Sequence, residues 1–123
     1  MDPDYLTAFE TTPIRDTEIY APTPETPEVV AEVADERVRQ VAKWGVQTRP
    51  NGTGSQWAPA ADEAKRITDA RMADGSATWL DILLEEVFEA AAEGDVERLR
   101  VELVQVAAVA TSWVEDIDRK AAE

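Results

Sequence analysis

The sequence predicts an all-α protein whose helices form a four-helix bundle. Apolar residues recur at three- and four-residue steps in four segments, which is the spacing of one helix face. Glycine and proline separate these segments, and 44% of the residues are apolar, enough for a small core. The predicted helices cover about 28–44, 60–73, 79–93 and 96–120. We therefore expect a helical domain at 28–123, preceded by an extended, proline-rich N-terminal arm at 1–27. The alternative interpretation of 1–27 is a disordered tail.

Residues that start and stop helices support these boundaries. Gly75 follows the second helix, where a chain leaving a helix favours glycine. Thr78 precedes the third helix with Asp81 three residues later, the pattern of a capping box. Asp95 is placed to cap the fourth helix. Gly94 is expected to end the third helix in a left-handed conformation.

Helical phase assigns an apolar face to each helix. The first helix places Val30, Val33, Ala34, Val38, Val41 and Trp44 inward, and the second Ala61, Ala64, Ile67 and Met72. The third has a stripe of Leu80, Leu83, Leu84, Val87 and Ala91, and the fourth one of Leu99, Leu103, Val106, Ala110, Trp113 and Ile117. Apolar residues outside these stripes (Val29, Val101, Val104 and Ala108) predict a homodimer or homotetramer, because small helical domains bury little surface alone.

Composition excludes several classes of function. The chain has no cysteine, which suits a reducing cytoplasm, and no histidine, which excludes a Ser-His-Asp triad and a histidine-ligated zinc. A net charge of −14 repels nucleic acid and anionic membranes, so neither is an expected partner. No apolar run is long enough to span a membrane.

The acidic residues of the third and fourth helices form the candidate site. Glu86 and Glu89 are three residues apart on the third helix, so they share a face. Glu102 and Gln105 repeat this spacing on the fourth helix, which the short break after the third folds back against it. Oxygen ligands from two facing helices suit a hard divalent cation such as Mg²⁺.

A loop at 45–59 lies between the first two predicted helices and is flanked by aromatic and basic residues. Lys43, Trp44, Arg49 and Trp57 offer a place for a flat ring and an anion. The alternative interpretation is that Trp44 and Trp57 are hydrophobic anchors that hold the loop.

These motifs resemble the MazG-like branch of the all-α nucleoside triphosphate pyrophosphohydrolases, whose signature is Glu-x-x-Glu, a short spacer and Glu-x-x-Asp. Glu86-x-x-Glu89 and Glu102-x-x-Gln105 match it, with Glu85 as an additional acidic residue, and the likeness covers about 33–119. It implies a MazG-like bundle that hydrolyses (deoxy)nucleoside triphosphates to the monophosphate and pyrophosphate. It also implies an oligomer.

The resemblance also implies roles for individual residues. The metal ligands for Mg²⁺, or alternatively Mn²⁺, would be Glu86, Glu89, Glu102 and Gln105. Glu85 and Glu86 would be catalytic, with Glu85 accepting the proton of the attacking water. The chain lacks the basic residue that the family often places one turn before its acidic cluster, so phosphate contacts would have to come from elsewhere. The predicted substrate contacts are Lys43, Trp44, Arg49, Trp57, Lys65 and Trp79, with a tryptophan stacking on the base.

Gln105 departs from the family pattern, which has Asp at this position. An amide brings one negative charge less, and this motivates a rival prediction, a protein that binds nucleotides without cleaving them. A second rival is an acidic helical protein that mimics DNA on a partner protein. Such a mimic needs its carboxylates spread over an outer surface, whereas the phase of the fourth helix puts Glu102 at the margin of an apolar stripe.

Overall fold

A computed structural model describes residues 22–123, and the regular structure of this part of the chain is entirely helical. Its α-helices are α1 (Thr26–Trp44), α2 (Ala58–Asp74), α3 (Trp79–Ala92) and α4 (Val96–Ala122), and a 3₁₀ turn (Ser55–Trp57) precedes α2. The predicted all-α class is confirmed over these residues. Most of the predicted arm, residues 1–21, lies outside the described residues, so the division at residue 27 stays a prediction.

The capping residues behave as the sequence predicts at the start of α3 and α4. The Thr78 hydroxyl accepts the Asp81 backbone N–H at 3.2 Å, and Asp81 Oδ2 accepts the Thr78 N–H at 3.0 Å. Asp95 Oδ1 accepts the backbone N–H groups of Glu97 and Arg98, each at 3.0 Å. These bonds satisfy amides that have no partner within their own helix.

The end of α3 differs from the expectation, because Gly94 does not take a left-handed conformation. The helix ends instead at Ala92, because the next residue, Glu93, has an extended backbone with φ −83° and ψ 121°. Glu93 donates its N–H to Ala90 O at 3.1 Å, and its side-chain Oε1 accepts the Asp95 N–H at 3.0 Å. A side chain thus organises this turn, and the glycine is not needed for a positive φ. Gly75 closes α2 as predicted, and its backbone is left-handed with φ 79°.

The described residues form two compact units. The central unit, Gly52–Val109, contains the 3₁₀ turn, α2, α3 and the first half of α4. The terminal unit consists of Pro22–Asn51 and Ala110–Glu123, and so contains α1 and the second half of α4. Among the described residues, no helix is both long enough and apolar enough to cross a membrane.

Polar contacts hold α2 against α3 in the central unit. The Thr68 hydroxyl donates to Asp81 O at 3.2 Å, and Arg71 Nη1 lies 2.6 Å from Asp81 Oδ1. The largest fully buried side chains of the described chain are Glu85, Glu86 and Thr68. All three are polar, so the interior of this unit is built around hydrogen-bonding groups as much as around apolar ones.

The prediction that the apolar stripe of α3 faces the interior is therefore wrong. The glutamate side is buried, while Leu80, Leu84 and Val87 of the predicted apolar stripe are exposed. The physical reason is that the glutamate side contacts α2 and α4, whose own residues supply polar partners. The periodicity identified an amphipathic helix, but it did not show which side faces its neighbours.

In the terminal unit, Glu115 is buried between the start of α1 and the end of α4. Thr26 Oγ1 donates to Glu115 Oε1 at 3.0 Å, and the Thr23 hydroxyl also bonds to this carboxylate. Val29, predicted to lie off the apolar stripe, is buried. Hydroxyl donors thus compensate the burial of the Glu115 charge.

The predicted apolar stripe of α1 is exposed in the single chain, with Val38 at 69% of its accessible surface. Val30, Val33, Val41 and Trp44 are exposed with it. Three other residues predicted to face inward are also exposed: Met72, Leu103 and Ile117. The inward assignment of these residues is wrong for an isolated chain.

We expect Thr78→Ala to lower the free energy of unfolding by about 1 kcal/mol, because it removes the hydroxyl that accepts the Asp81 N–H. Thr78→Ser keeps this acceptor and is expected to stay near the wild type. Chemical denaturation of both variants measures the difference. Equal stability of the alanine and serine variants would show that the capping box adds nothing to α3.

Candidate metal centre

Three carboxylates converge between α3 and α4. Glu86, Glu89 and Glu102 each place one oxygen so that these three oxygens lie within 4.8 Å of one another. Glu86 is completely buried, and the other two are partly buried. The three-residue spacing on α3 and the turn before α4 produce this convergence, as the sequence predicted for these three residues.

Gln105 lies beside the same carboxylates. One terminal atom of its amide faces only oxygens of the carboxylates, at 3.2 Å from Glu102 Oε2 and 3.3 Å from Glu86 Oε2. In the absence of a cation the surrounding acceptors assign this atom as the nitrogen, because an oxygen there would meet no donor. The structure thus brings together all four residues of the predicted motif.

Glu85 faces the other neighbour of α3. It contacts the Thr68 hydroxyl of α2 and is 1% exposed, and its Oε2 accepts no hydrogen bond from the described residues. Burial raises the pKa of the Glu85 carboxyl, and the nearby Asp69 carboxylate raises it further, while Lys65 and Thr68 act in the opposite direction. A buried carboxylate with a raised pKa is a stronger base than an exposed one.

The three converging carboxylates are chemically suited to a hard divalent cation. Carboxylates this close repel one another when they are ionised, and the complete burial of Glu86 removes the water that would screen them. Carboxylate oxygens are the protein ligands that Mg²⁺ and Mn²⁺ accept. Glu86, Glu89 and Glu102 could therefore hold such an ion, and its charge would offset their repulsion.

Among the predicted substrate contacts, Lys65 of α2 is the one whose pKa is affected by the glutamates of α3. Its Nζ lies 2.8 Å from Asp69 Oδ2, a contact that raises the pKa of the lysine. The charges of Glu85 and Glu89 raise this pKa further. Lys65 is therefore a positive charge within electrostatic reach of the acidic side of α3.

Two predicted tryptophans also belong to the central unit. Trp79 is partly buried in the first turn of α3, two turns before Glu86. Trp57 is 42% exposed, and its indole N–H donates to Gly52 O at 3.2 Å. This bond favours the interpretation of Trp57 as an anchor of the loop.

The other three predicted substrate contacts belong to the terminal unit. Lys43 Nζ lies 4.7 Å from the centroid of the Trp44 ring, a cation–π contact, and Trp44 is exposed. Arg49 Nε donates to Gln47 Oε1 at 3.3 Å. Within this unit the three residues are exposed, and their role in binding stays a prediction.

A glycine turn joins the loop to the end of α3. Gly54 donates its N–H to Ala91 O at 2.8 Å, and its φ of 147° is a conformation that only glycine adopts easily. A Cβ atom at this position would lie 2.5 Å from Gln56 Oε1. The predicted loop is therefore held against the helix that carries Glu86 and Glu89.

Thr68 is a site residue that the sequence reasoning missed. It is the α2 residue whose hydroxyl contacts Glu85, and it is 1% exposed. Its position was a usable signal, because it lies four residues from both Ala64 and Met72, in the phase assigned to the inward side. A threonine at an inward position indicates a buried polar partner on the facing helix.

Comparisons with protein-family models, with curated proteins and with solved structures found no match for this chain. The MazG-like resemblance is therefore carried by the motif residues alone and stays a prediction.

We expect Glu85→Gln to raise the melting temperature of the metal-depleted protein near pH 8. The folded state holds the pKa of Glu85 above its unfolded value, so it favours the protonated form. The stability that this group contributes is present below the unfolded pKa and is lost as pH rises through the folded pKa. The difference between variant and wild type should therefore shrink toward about pH 4. Thermal unfolding between these two pH values measures it.

Glu97→Gln is the matched control, because Glu97 is exposed in the first turn of α4. Its difference from the wild type should show no comparable rise with pH. A Glu85→Gln difference that stays constant from acid to neutral pH would contradict the raised pKa.

Proposed function

We propose that the protein hydrolyses (deoxy)nucleoside triphosphates to the nucleoside monophosphate and pyrophosphate in the presence of Mg²⁺. The observation that carries this proposal is the convergence of Glu86, Glu89 and Glu102 from two helices within 4.8 Å. The spacing of these residues is also what gives the chain its likeness to MazG-like pyrophosphohydrolases.

The chemistry requires a cation at these carboxylates and a base for the attacking water, for which we propose Glu85, the neighbour of Glu86 on α3. When bound, Mg²⁺ neutralises charge on the phosphates and lowers the pKa of a water molecule. In the proposed reaction the water oxygen bonds to the α-phosphorus, and the bond from that phosphorus to the α–β bridging oxygen breaks to release pyrophosphate. Glu85, whose pKa is raised by burial, accepts the proton of the water.

Several residues are proposed to bind the rest of the substrate. Lys65 is suited to a phosphate, because it is a cation near Glu85 and Glu89. For the base, Trp57 and Trp79 of the central unit each offer an aromatic ring.

The burial of the glutamates argues against the acidic mimic. A protein that imitates the phosphates of DNA has to present its carboxylates on the outside. Glu85 and Glu86 are among the most buried side chains of the described residues, and Glu89 and Glu102 are only partly exposed. A nucleotide binder that does not cleave remains the alternative, motivated by Gln105 in place of Asp.

We further propose that the protein is a homodimer or homotetramer. Exposed apolar side chains follow α1 from Val30 to Trp44 and recur on α3 at Leu80, Leu84 and Val87. Covering such surface in water is favourable by about 25 cal/mol for each Å² buried. A second copy of the chain can cover it without any other partner.

Glu86→Gln and Glu102→Gln are each expected to reduce pyrophosphate release at least about 100-fold, because each removes a charged ligand of the cation. The assay measures pyrophosphate and monophosphate from a panel of ribo- and deoxyribonucleoside triphosphates, with Mg²⁺ and with chelator. Glu97→Gln, on the exposed first turn of α4, is the control and should keep the wild-type rate.

Full activity in Glu86→Gln would show that the site is assigned wrongly. Tight nucleotide binding by the wild type, without pyrophosphate release from any member of the panel, would favour the non-catalytic binder instead.

Val38→Asp is expected to reduce the mass in solution toward the 13.6 kDa of one chain. The change places a charge on the most exposed valine of the α1 stripe. Gln40→Asp introduces the same side chain on another face of α1 and should leave the assembly intact. Sedimentation equilibrium measures both variants. A wild-type protein of one-chain mass would contradict the proposed assembly.

A further inference from the structure

We propose that Gln105 is a positioning residue that clamps Glu86 and Glu102 through the two hydrogens of its side-chain amide, and that it is not a ligand of the cation. The function of the clamp rests on the proposed metal site. The clamp itself is a contact of the protein without an ion, and so it can be tested separately.

The geometry assigns one amide hydrogen to each carboxylate. The amide atom that faces these carboxylates lies 3.2 Å from Glu102 Oε2 and 3.3 Å from Glu86 Oε2, which allows long hydrogen bonds. We assign this atom as the nitrogen, because in the protein without a cation an oxygen at this place would face only acceptors. An ionised carboxylate only accepts hydrogen bonds, and the nitrogen is the only donor in a glutamine side chain. The opposite orientation would place the amide oxygen against two carboxylate oxygens.

The hydrogen bonds of the clamp would offset the repulsion among the carboxylates. Glu86, Glu89 and Glu102 place oxygens within 4.8 Å of one another, and the completely buried Glu86 has the least access to screening water. Hydrogen bonds to ionised acceptors are stronger than those between neutral groups. An amide that bridges Glu86 and Glu102 therefore holds two facing helices together where their charges would push them apart.

The clamp also sets the charge of the site. With Gln105 the four residues of the motif carry at most three negative charges, whereas an Asp at this position would give four and no donor. When the nitrogen faces the carboxylates, the amide oxygen faces away from them. The ligand oxygens for a cation then come from Glu86, Glu89 and Glu102, and the remaining positions are left to water and substrate.

Nuclear magnetic resonance can observe the clamp directly. The chain has only five side-chain amide groups, those of Gln40, Gln47, Asn51, Gln56 and Gln105. The pair of amide signals that disappears in Gln105→Met identifies Gln105. In metal-depleted protein we expect these two protons to exchange with water at least about tenfold more slowly than those of the exposed Gln47. Equal exchange rates for the two residues would overturn the clamp.

Addition of Mg²⁺ distinguishes a positioning residue from a ligand. A clamp keeps its amide protons on the carboxylates, so their slow exchange persists in saturating Mg²⁺. A ligand has to turn its oxygen to the ion, which moves the nitrogen away and abolishes the protection. Loss of protection on Mg²⁺ binding would therefore overturn the assignment of Gln105 as a non-ligand.

Gln105→Met tests the energetic role, because methionine has a similar length and no amide. We expect the melting temperature of the metal-depleted variant to fall by about 5 °C. Its affinity for Mg²⁺ should fall about tenfold or more, as for other groups that orient metal ligands. Gln47→Met is the matched control and should change neither value. An unchanged melting temperature and affinity in Gln105→Met would overturn the positioning role.

These measurements also separate the clamp from the proposed function. A wild-type protein that binds no Mg²⁺ but protects the Gln105 amide would refute the metal site and support the clamp. A protein that binds Mg²⁺ with an unprotected Gln105 amide would support the metal site and refute the clamp.

Discussion

The burial of two adjacent glutamates on α3 is the constraint on which the central unit depends. Glu85 and Glu86 are about 100° apart around the helix, so they meet different neighbours. Glu85 contacts Thr68 of α2, and Glu86 lies beside Gln105 of α4. A buried carboxylate is costly unless its neighbours compensate it. The facing helices must therefore supply polar groups at fixed positions, and this requirement specifies how they pack around α3.

The apolar side chains are arranged accordingly. Because the glutamate side of α3 contacts the neighbouring helices, Leu80, Leu84 and Val87 are left exposed in the single chain. The apolar residues of α1 are exposed as well, with Val38 at 69%. The described chain thus has a polar interior in its central unit and leaves large apolar side chains exposed. In the proposed assembly a second copy would cover these side chains.

The sequence predicted the helices and the motif well, because both depend on local rules. Thr78 and Asp95 are caps whose effect extends over a few residues, and the three-residue spacing of Glu86 and Glu89 fixes their common face. The burial of α3 could not be predicted in the same way. Periodicity distinguishes an apolar from a polar face, and the apolar face is usually assumed to be the buried one. This assumption fails in α3, where the face with Glu85 and Glu86 is buried. The sequence also could not predict which atom of the Gln105 amide faces the site, because this depends on carboxylates from two helices.

Polar contacts in the first turn of α3 fix the position of this helix along α2, and with it the position of the site. Asp81 bonds to Thr78 at the start of α3 and to Arg71 of α2, which ties the first turn of α3 to a fixed point on its neighbour. Thr68, one turn before Arg71, donates to Asp81 O and also contacts Glu85. Residues 81, 85 and 89 follow one another at single-turn spacing. The contacts that fix Asp81 against α2 therefore also determine where Glu85 and Glu89 lie, and a shift of α2 by one turn would separate the proposed base from its hydroxyl partner.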